Sequence, residues 1–209
     1  MLQRPARLRT FSAMNSAAPV DELKATLRRE AAARRDALPA DARKARAEAI
    51  AARDFPLTIA PGVIISAFMP LKSEISPLPL MQKLAGEGAQ LALPRIVGRG
   101  SPLSMRAWQF GGPLERGQWG IREPRSDAPE VEPDILLVPL LAFDRAGYRI
   151  GYGAGYYDMT IARLRSRKAV TAVGIAFAAQ EVSEIPRTPR DERLDLVLTE
   201  REVIDLRAS

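Results

Sequence analysis

The 209 residues carry 46% hydrophobic and 27% charged side chains, the balance of a globular protein able to bury one sizeable core. Without a single cysteine or histidine, the chain cannot build a disulfide framework, a thiolate or imidazole metal site, or Cys/His or Ser/His nucleophilic machinery. The net charge of +6 is an N-terminal property: residues 1–60 hold 12 Lys/Arg against 7 Asp/Glu, the other 149 hold 19 against 18. Such an end suits an anionic partner, a nucleic acid or a phosphate-bearing small molecule. Any catalysis falls to carboxylates, Lys, Arg, Tyr, backbone amides and a hard cation held by oxygen.

The first 19 residues contain Arg4, Arg7 and Arg9, no acid, and no apolar stretch of the secretory kind. Residues 1–19 read as a disordered extension, with Met14 as an alternative start, and 20–209 as a single domain. The longest apolar run, Ile135 to Phe143, is broken by Pro139 and is far too short for a membrane span. No membrane contact and a cytoplasmic location are expected.

Asp21 to Leu38 is predicted helical, with Asp21 as N-cap and Leu23, Leu27, Ala31 and Leu38 on one apolar side. Pro39 breaks it, and Ala40 to Arg53 forms a second, Ala-rich helix. Gly62 to Met69 has the β-branched density of a buried strand. Ser76-Pro77 opens a helix that stops at Gly86 to Gly88, followed by strands at Gln90 to Leu93 and Leu103 to Phe110. A Gly/Pro-rich stretch covers 111–133. Ile135 to Val138 is wholly apolar, as in a strand covered on both faces. Tyr156 to Arg167 is predicted as a helix, and Ala169 to Ala176 and Leu194 to Leu198 as strands. The alternation points to a three-layer α/β/α domain with a mixed, mostly parallel sheet and a helical N-terminal arm.

The most informative segment is VPLLAFDRAGYRIGYGAGYYD, from Val138 to Asp158. Glycines at 147, 151, 153 and 155 let the backbone turn its N–H groups inward and admit an anion where a Cβ would obstruct it. The helix that follows adds its unpaired N–H groups and positive dipole end. Arg145 and Arg149 bring positive charge, and Asp158 in the first turn can hold a magnesium ion bridging phosphates. Neither a Walker A loop nor GxGxxG is present, since GKS/GKT is missing and Tyr156 stands where the third glycine belongs. Glycines, arginines, tandem tyrosines and a carboxylate together favour a binding loop over a bare turn.

Lys24, Arg28 and Arg35 fall within about 40° of one another on a helical wheel, one cationic edge beside the apolar stripe. That edge can clamp a polyphosphate, although from spacing alone a solvated face is the better reading. Glu74, with Met69, Trp108 and Trp119 as walls, can receive the N–H groups and flat faces of a heterocycle. Taken from the residues alone, these are as well explained by a surface carboxylate and core tryptophans. Asp191 and Asp195 are further oxygen donors or ordinary loop carboxylates.

Together these segments resemble the 5-formyltetrahydrofolate cyclo-ligase family over roughly residues 20–200. Lys24 to Arg28, with a later Arg35, is similar to the family's opening KxxxR helix, and Glu74-Ile75-Ser76 to its folate-side element. GQWGIREP (117–124) matches its GxxGIxEP signature, and Arg149 to Asp158 its RxGxGxGYYD loop. AVGIAFAAQ and IPRTPRDERLDLVLTE resemble its closing segment, with Thr188 and Arg190 standing where Glu and His are often found. The resemblance implies a fold related to sugar-phosphate isomerases and CoA transferases. It also implies a reaction in which ATP and 5-formyltetrahydrofolate give 5,10-methenyltetrahydrofolate, ADP and phosphate, with Mg2+ required.

By the same resemblance, Lys24, Arg28 and the stretch Arg149, Gly151, Tyr152, Gly153, Ala154, Gly155, Tyr156 and Tyr157 contact ATP. Met69, Glu74, Tyr152, Gly153, Ala154, Gly155 and Tyr156 face the folate. Arg149 and Tyr157 are the expected catalytic residues, Asp158 and Asp191 the expected metal ligands. Partners are then 5-formyltetrahydrofolate and ATP, with no nucleic acid, and the protein is expected to act as a monomer. Two alternatives remain: a catalytically weak paralogue that only binds reduced folate, suggested by Thr188 and Arg190, and a nucleic-acid-binding module using the basic helices.

Overall fold

The computed structural model describes residues 19–207. The extension expected over 1–19 lies outside the described residues apart from Pro19. Pro19 and Pro39 stand just ahead of α1 (Val20–Asp36) and α2 (Ala40–Ala52), both in extended conformation. Proline at a helix start sacrifices no hydrogen bond, because the first N–H groups have no intrahelical acceptor. Asp21 is therefore not the cap of α1. The chain enters the helix one residue earlier, the Pro19 carbonyl accepts from the amides of Glu22 and Leu23, and Asp21 lies in the first turn facing the dipole.

Five parallel strands form the centre: β1 (Ile64–Ser66), β2 (Gln90–Arg95), β6 (Ile135–Pro139), β9 (Thr171–Ile175) and β10 (Leu196–Leu198). Antiparallel strands close both edges, β3 (Ser104–Ala107) against β2 and β11 (Val203–Asp205) against β10, giving the order β11-β10-β9-β6-β1-β2-β3. Two small hairpins stand outside the sheet: β4 (Glu115–Arg116) with β5 (Arg122–Glu123), and β7 (Ala142–Phe143) with β8 (Arg149–Ile150). The sheet is thus mixed and mostly parallel, as its apolar strands imply.

Alternation along each strand splits the core in two. Ile65, Leu91, Leu93, Ile135, Leu137, Val173 and Leu196 pack against α2 and α3 (Leu78–Gly86) on one face. Leu136, Val138, Ala172 and Val197 pack against Ile161 and Leu164 of α4 (Tyr156–Arg165) on the other. A third small cluster, Ala31, Leu141, Ala142, Ile150 and Ile185, lies beneath α1 and fastens it to the β7–β8 hairpin. The α1 helix is therefore part of the domain rather than a free arm.

The carboxyl ends of β1, β6 and β9 lead into the Glu74 turn, the β7–β8 hairpin and the 177–192 segment, so the segments singled out by sequence gather beyond that edge of the sheet. Leu137, with no exposed surface at the middle of β6, should be among the costliest positions to truncate. Leu137→Ala is expected to lower unfolding free energy by about 2–5 kcal/mol, read by urea denaturation.

Candidate active site

The glycine loop is held at its base by one buried carboxylate. Asp144 is 3% exposed; its Oδ1 accepts from the amides of Ala146 and Tyr148, and its Oδ2 from Ile185. Gly147 makes the turn with φ of +89°, and a Cβ there would sit 3.0 Å from the Leu194 carbonyl, so only glycine suits the position. Beyond β8 the chain runs free: among the described residues, no acceptor engages the amides of 151–155. Gly155, left-handed at φ +69°, then starts α4, whose first amides are likewise unpaired. A concave run of N–H groups ending at a helix start is a site for an anion.

The cationic edge of α1 lies across this loop. Arg28 donates from Nε to the Gly151 carbonyl at 3.1 Å, and its guanidinium covers Gly153, where a Cβ would approach to 3.4 Å. Lys24 pairs with both carboxylate oxygens of Asp191 at 2.5–2.7 Å. Arg35 is 2% exposed; it donates to Ser73 Oγ and to the Tyr152 hydroxyl, each at 2.9 Å. The edge is thus engaged within the chain. So are Arg43, on the Leu38 carbonyl, and Arg46, beside Glu200 and the Phe177 ring, while Arg29, Arg34 and Lys44 of the same two helices are exposed.

Two carboxylates meet at the 191–192 turn. Asp158 Oδ1 accepts from Arg149 Nη2 at 2.9 Å and from the Glu192 amide at 3.1 Å, while Arg149 Nη1 donates to the Glu192 carbonyl. Burial alone would raise the Asp191 carboxyl, but Lys24 and the Thr188 amide and hydroxyl more than offset it and hold it below its usual value. Thr188 therefore orients Asp191 directly, and Arg190 beside it is exposed. Among the described residues no cluster of three or more ligating side chains forms a metal cage. Asp158 Oδ2, however, has no partner among them on a side chain 26% exposed, and Asp158 is bonded to the amide of Glu192, the residue that follows Asp191, whose own two oxygens are engaged by Lys24. This donor set fits a magnesium ion held by one or two carboxylates and completed by phosphate oxygens and water.

The folate-side candidates lie behind the loop. Glu74 Oε2 accepts from the Leu71 amide at 2.7 Å. Burial pushes its carboxyl above the usual range; the Leu71 amide, the Tyr152 hydroxyl and the Arg35 charge offset only part of that. Burial and the Glu74 charge push the Tyr152 hydroxyl up to about 12 against the pull of Arg35. The Tyr157 hydroxyl is buried, without a partner, and lies within the fields of Glu74 and Arg149. Its burial keeps it protonated at any physiological pH. Met69, half-buried where the chain leaves β1, packs on the α2/α3 side of the core.

Several candidates go elsewhere. Arg145 turns from the loop to Glu181 and Glu202, because two carboxylates outcompete a neutral backbone for it. Asp195 is occupied by Arg165 and the Ala172 amide and ties α4 to the sheet. Trp108 lines a separate hollow of about 500 Å³ with Ile64, Leu91, Phe110 and Val131, at the opposite end of β1 and β2. Trp119, in contrast, is 68% exposed, adopts a left-handed φ of +54°, and holds its ring 6.1 Å from that of Tyr156 at the start of α4. The hairpin carrying it depends on Gly117: a Cβ there would fall 2.2–2.6 Å from the buried Glu123 carboxylate. Asp144, Ser73 and Thr188 have no signal in the sequence, since each acts through a partner distant along the chain or through its own backbone turn.

The profile of the 5-formyltetrahydrofolate cyclo-ligase family matches residues 20–200. A 5-formyltetrahydrofolate cyclo-ligase of Mycolicibacterium smegmatis is 34% identical over 194 residues, 88% of this chain and 97% of that protein. The Escherichia coli protein of the same name is 30% identical over 66% of this chain and 79% of its own. The solution structure of Aquifex aeolicus 5,10-methenyltetrahydrofolate synthetase superposes with a TM-score of 0.73 at 31% identity, over 88% of this chain and 93% of that one. A sheet of this order, a glycine loop against a basic helix, and matches of this extent have one meaning: the chain belongs to the 5-formyltetrahydrofolate cyclo-ligase family, a family of ligase enzymes.

Proposed function

We propose that this enzyme converts 5-formyltetrahydrofolate to 5,10-methenyltetrahydrofolate at the expense of ATP, with magnesium, releasing ADP and phosphate. The observation that carries the reading is the unpaired amide run of 151–155, with the Lys24/Arg28 edge on one side and Glu74 and the Tyr157 hydroxyl on the other. One side suits a polyphosphate and the other a polar heterocycle. The formyl oxygen attacks the γ-phosphorus, the bond to the ADP oxygen breaks, and N10 then closes on the activated formyl carbon. N10 gives up its proton, and the carbon–oxygen bond breaks with phosphate as leaving group. The substrate supplies its own nucleophiles, so the protein has to position two ligands and offset charge, which needs neither His nor Cys.

In this reading Lys24, Arg28 and the amides of 151–157 hold the phosphates. Arg149 keeps Asp158 oriented, and the Tyr157 hydroxyl donates a hydrogen bond at the junction of the two ligands. Met69, Glu74 and the 152–156 stretch take the folate, the carboxylate of Glu74 receiving ring N–H groups. Asp158 and Asp191 hold magnesium, which when bound neutralises phosphate charge. We also place residues 20–209 in one catalytic domain acting as a monomer in the cytoplasm. No helix among the described residues is long and apolar enough to cross a membrane.

The test is a spectrophotometric assay of the methenyl product with purified protein, 5-formyltetrahydrofolate and magnesium ATP. A rise that needs both ATP and the metal is expected; folate binding without turnover would identify a silent paralogue. Asp158→Asn should lower kcat by at least about a hundredfold, with thermal unfolding little changed. Unaltered turnover would remove Asp158 from the site.

Glu74→Gln separates stability from binding. The Glu74 carboxyl has a raised pKa in the fold, so its ionisation costs stability at neutral pH and costs nothing below the ordinary carboxylate range. The variant should therefore unfold at a higher temperature than wild type at pH 7, and the difference should vanish towards pH 4. Its affinity for 5-formyltetrahydrofolate, measured by calorimetry, should fall. Trp119 supplies an optical reporter: ligand-induced changes in tryptophan fluorescence should persist in Trp108→Phe and disappear in Trp119→Phe.

A further inference from the structure

The sequence places Arg35 on the same helix edge as Lys24 and Arg28, which makes it a third member of a phosphate clamp. The structure gives it different company. Lys24 reaches the 188–191 turn and Arg28 covers the glycine loop, whereas the Arg35 side chain is directed at Ser73, Tyr152 and the field of Glu74. Its guanidinium is 5.7 Å from the centre of the Tyr152 ring, and its Nε is fixed by Ser73 Oγ, which in turn donates to Asp36. Two of its nitrogens are thus committed at the end where the heterocycle candidates lie.

The third nitrogen is the unusual one. Arg35 Nη1 is buried and has no hydrogen-bond partner, an arrangement that ordinarily carries a penalty comparable to a lost charged hydrogen bond. Among the described residues, the Tyr157 hydroxyl is a second buried polar atom without a partner, and it too lies within the field of Glu74. A carboxylate flanked by two unpaired donors is an incomplete polar network, and incomplete networks are tolerated where a ligand completes them.

We propose that Arg35 is a positioning residue for the folate half of the site: it holds the Tyr152 hydroxyl in the geometry that receives the flat heterocycle, and it takes no part in binding nucleotide. This rests on the function proposed above. Tyr152 is half-exposed in the glycine loop and would sample several rotamers without a fixed partner. Arg35, buried and pinned by Ser73, supplies that partner from the rigid helix behind the loop. Lysine cannot replace it, because a single ammonium lacks the planar fork that reaches Ser73 and Tyr152 at once.

The experiment compares steady-state constants for both substrates in Arg35→Gln, Arg35→Lys, Tyr152→Phe and Arg35→Gln/Tyr152→Phe, with thermal unfolding of each. Arg35→Gln should raise KM for 5-formyltetrahydrofolate about tenfold or more while KM for ATP stays within about twofold. Arg35→Lys should fail to rescue it. Tyr152→Phe, which leaves the Arg35–Ser73 contact and the helix packing in place, should show the same selectivity. The double variant should bind folate no worse than Arg35→Gln, since both changes break one contact. Equal rises in both KM values, multiplying effects in the double variant, or a Tyr152→Phe enzyme with unchanged folate KM would each overturn the proposal. A wild-type protein that neither turns over nor binds 5-formyltetrahydrofolate by calorimetry would instead overturn the function on which it rests.

Discussion

Everything in the site depends on one constraint: a stretch of backbone with free N–H groups has to be kept open in a folded protein. A loop such as 151–155 cannot be held by packing, because side chains large enough to pin it would fill the space its amides face. It is held from outside instead. Asp144 fixes its base through three amides, and Arg28 clamps it through the Gly151 carbonyl and covers Gly153. The small apolar cluster under α1 keeps the helix close enough for that clamp to reach.

That dependence explains why an N-terminal helix with so many charges is stably docked. Alone, a largely buried ion pair such as Lys24–Asp191 contributes little, because desolvating both charges offsets their attraction. Here Ala31 and Leu27 bury against Leu141, Ile150 and Ile185, and the cations beside them on the same face find acceptors in the loop and in the 188–192 turn. Apolar contact sets the distance, and the charges decide the orientation. The same helix then reaches three places along that edge of the sheet, with Arg28 over the glycine loop, Lys24 at the 188–191 turn and Arg35 at Ser73 and Tyr152.

The buried polar groups around Glu74 carry a cost that the sheet absorbs. Glu74 is buried deeply enough to raise its pKa, and Arg35 and Tyr157 each leave a polar atom without a partner. A free enzyme with these features is less stable than a fully paired one, and the difference is available when a ligand supplies the missing groups. The two-sided core around β1, β6 and β9 provides the stability against which that deficit is set.

Much of this was legible in the residues. The wholly apolar run 135–138 announces a strand buried on both faces, Pro39 separates the two helices, and the glycines at 151–155 mark an open loop, because each property is local to a few neighbours. The start of the first helix, after Pro19 rather than at Asp21, is not legible there. Only the resemblance lifted Glu74 and Asp191 above ordinary carboxylates. Tertiary structure alone decided which charges meet. Arg145 and Arg149 stand four residues apart, yet one goes to Glu181 and Glu202 and the other to Asp158. Trp108 and Trp119 share a loop-rich stretch, yet one lines a distant hollow and the other stands beside Tyr156. Arg35 shares a helix edge with Arg28, yet Arg28 goes to the Gly151 carbonyl and Arg35 to Ser73 and Tyr152. Backbone preference and hydrophobic period are written in short-range sequence, whereas the partner of a long charged side chain is whichever group folding from afar brings within 3 Å.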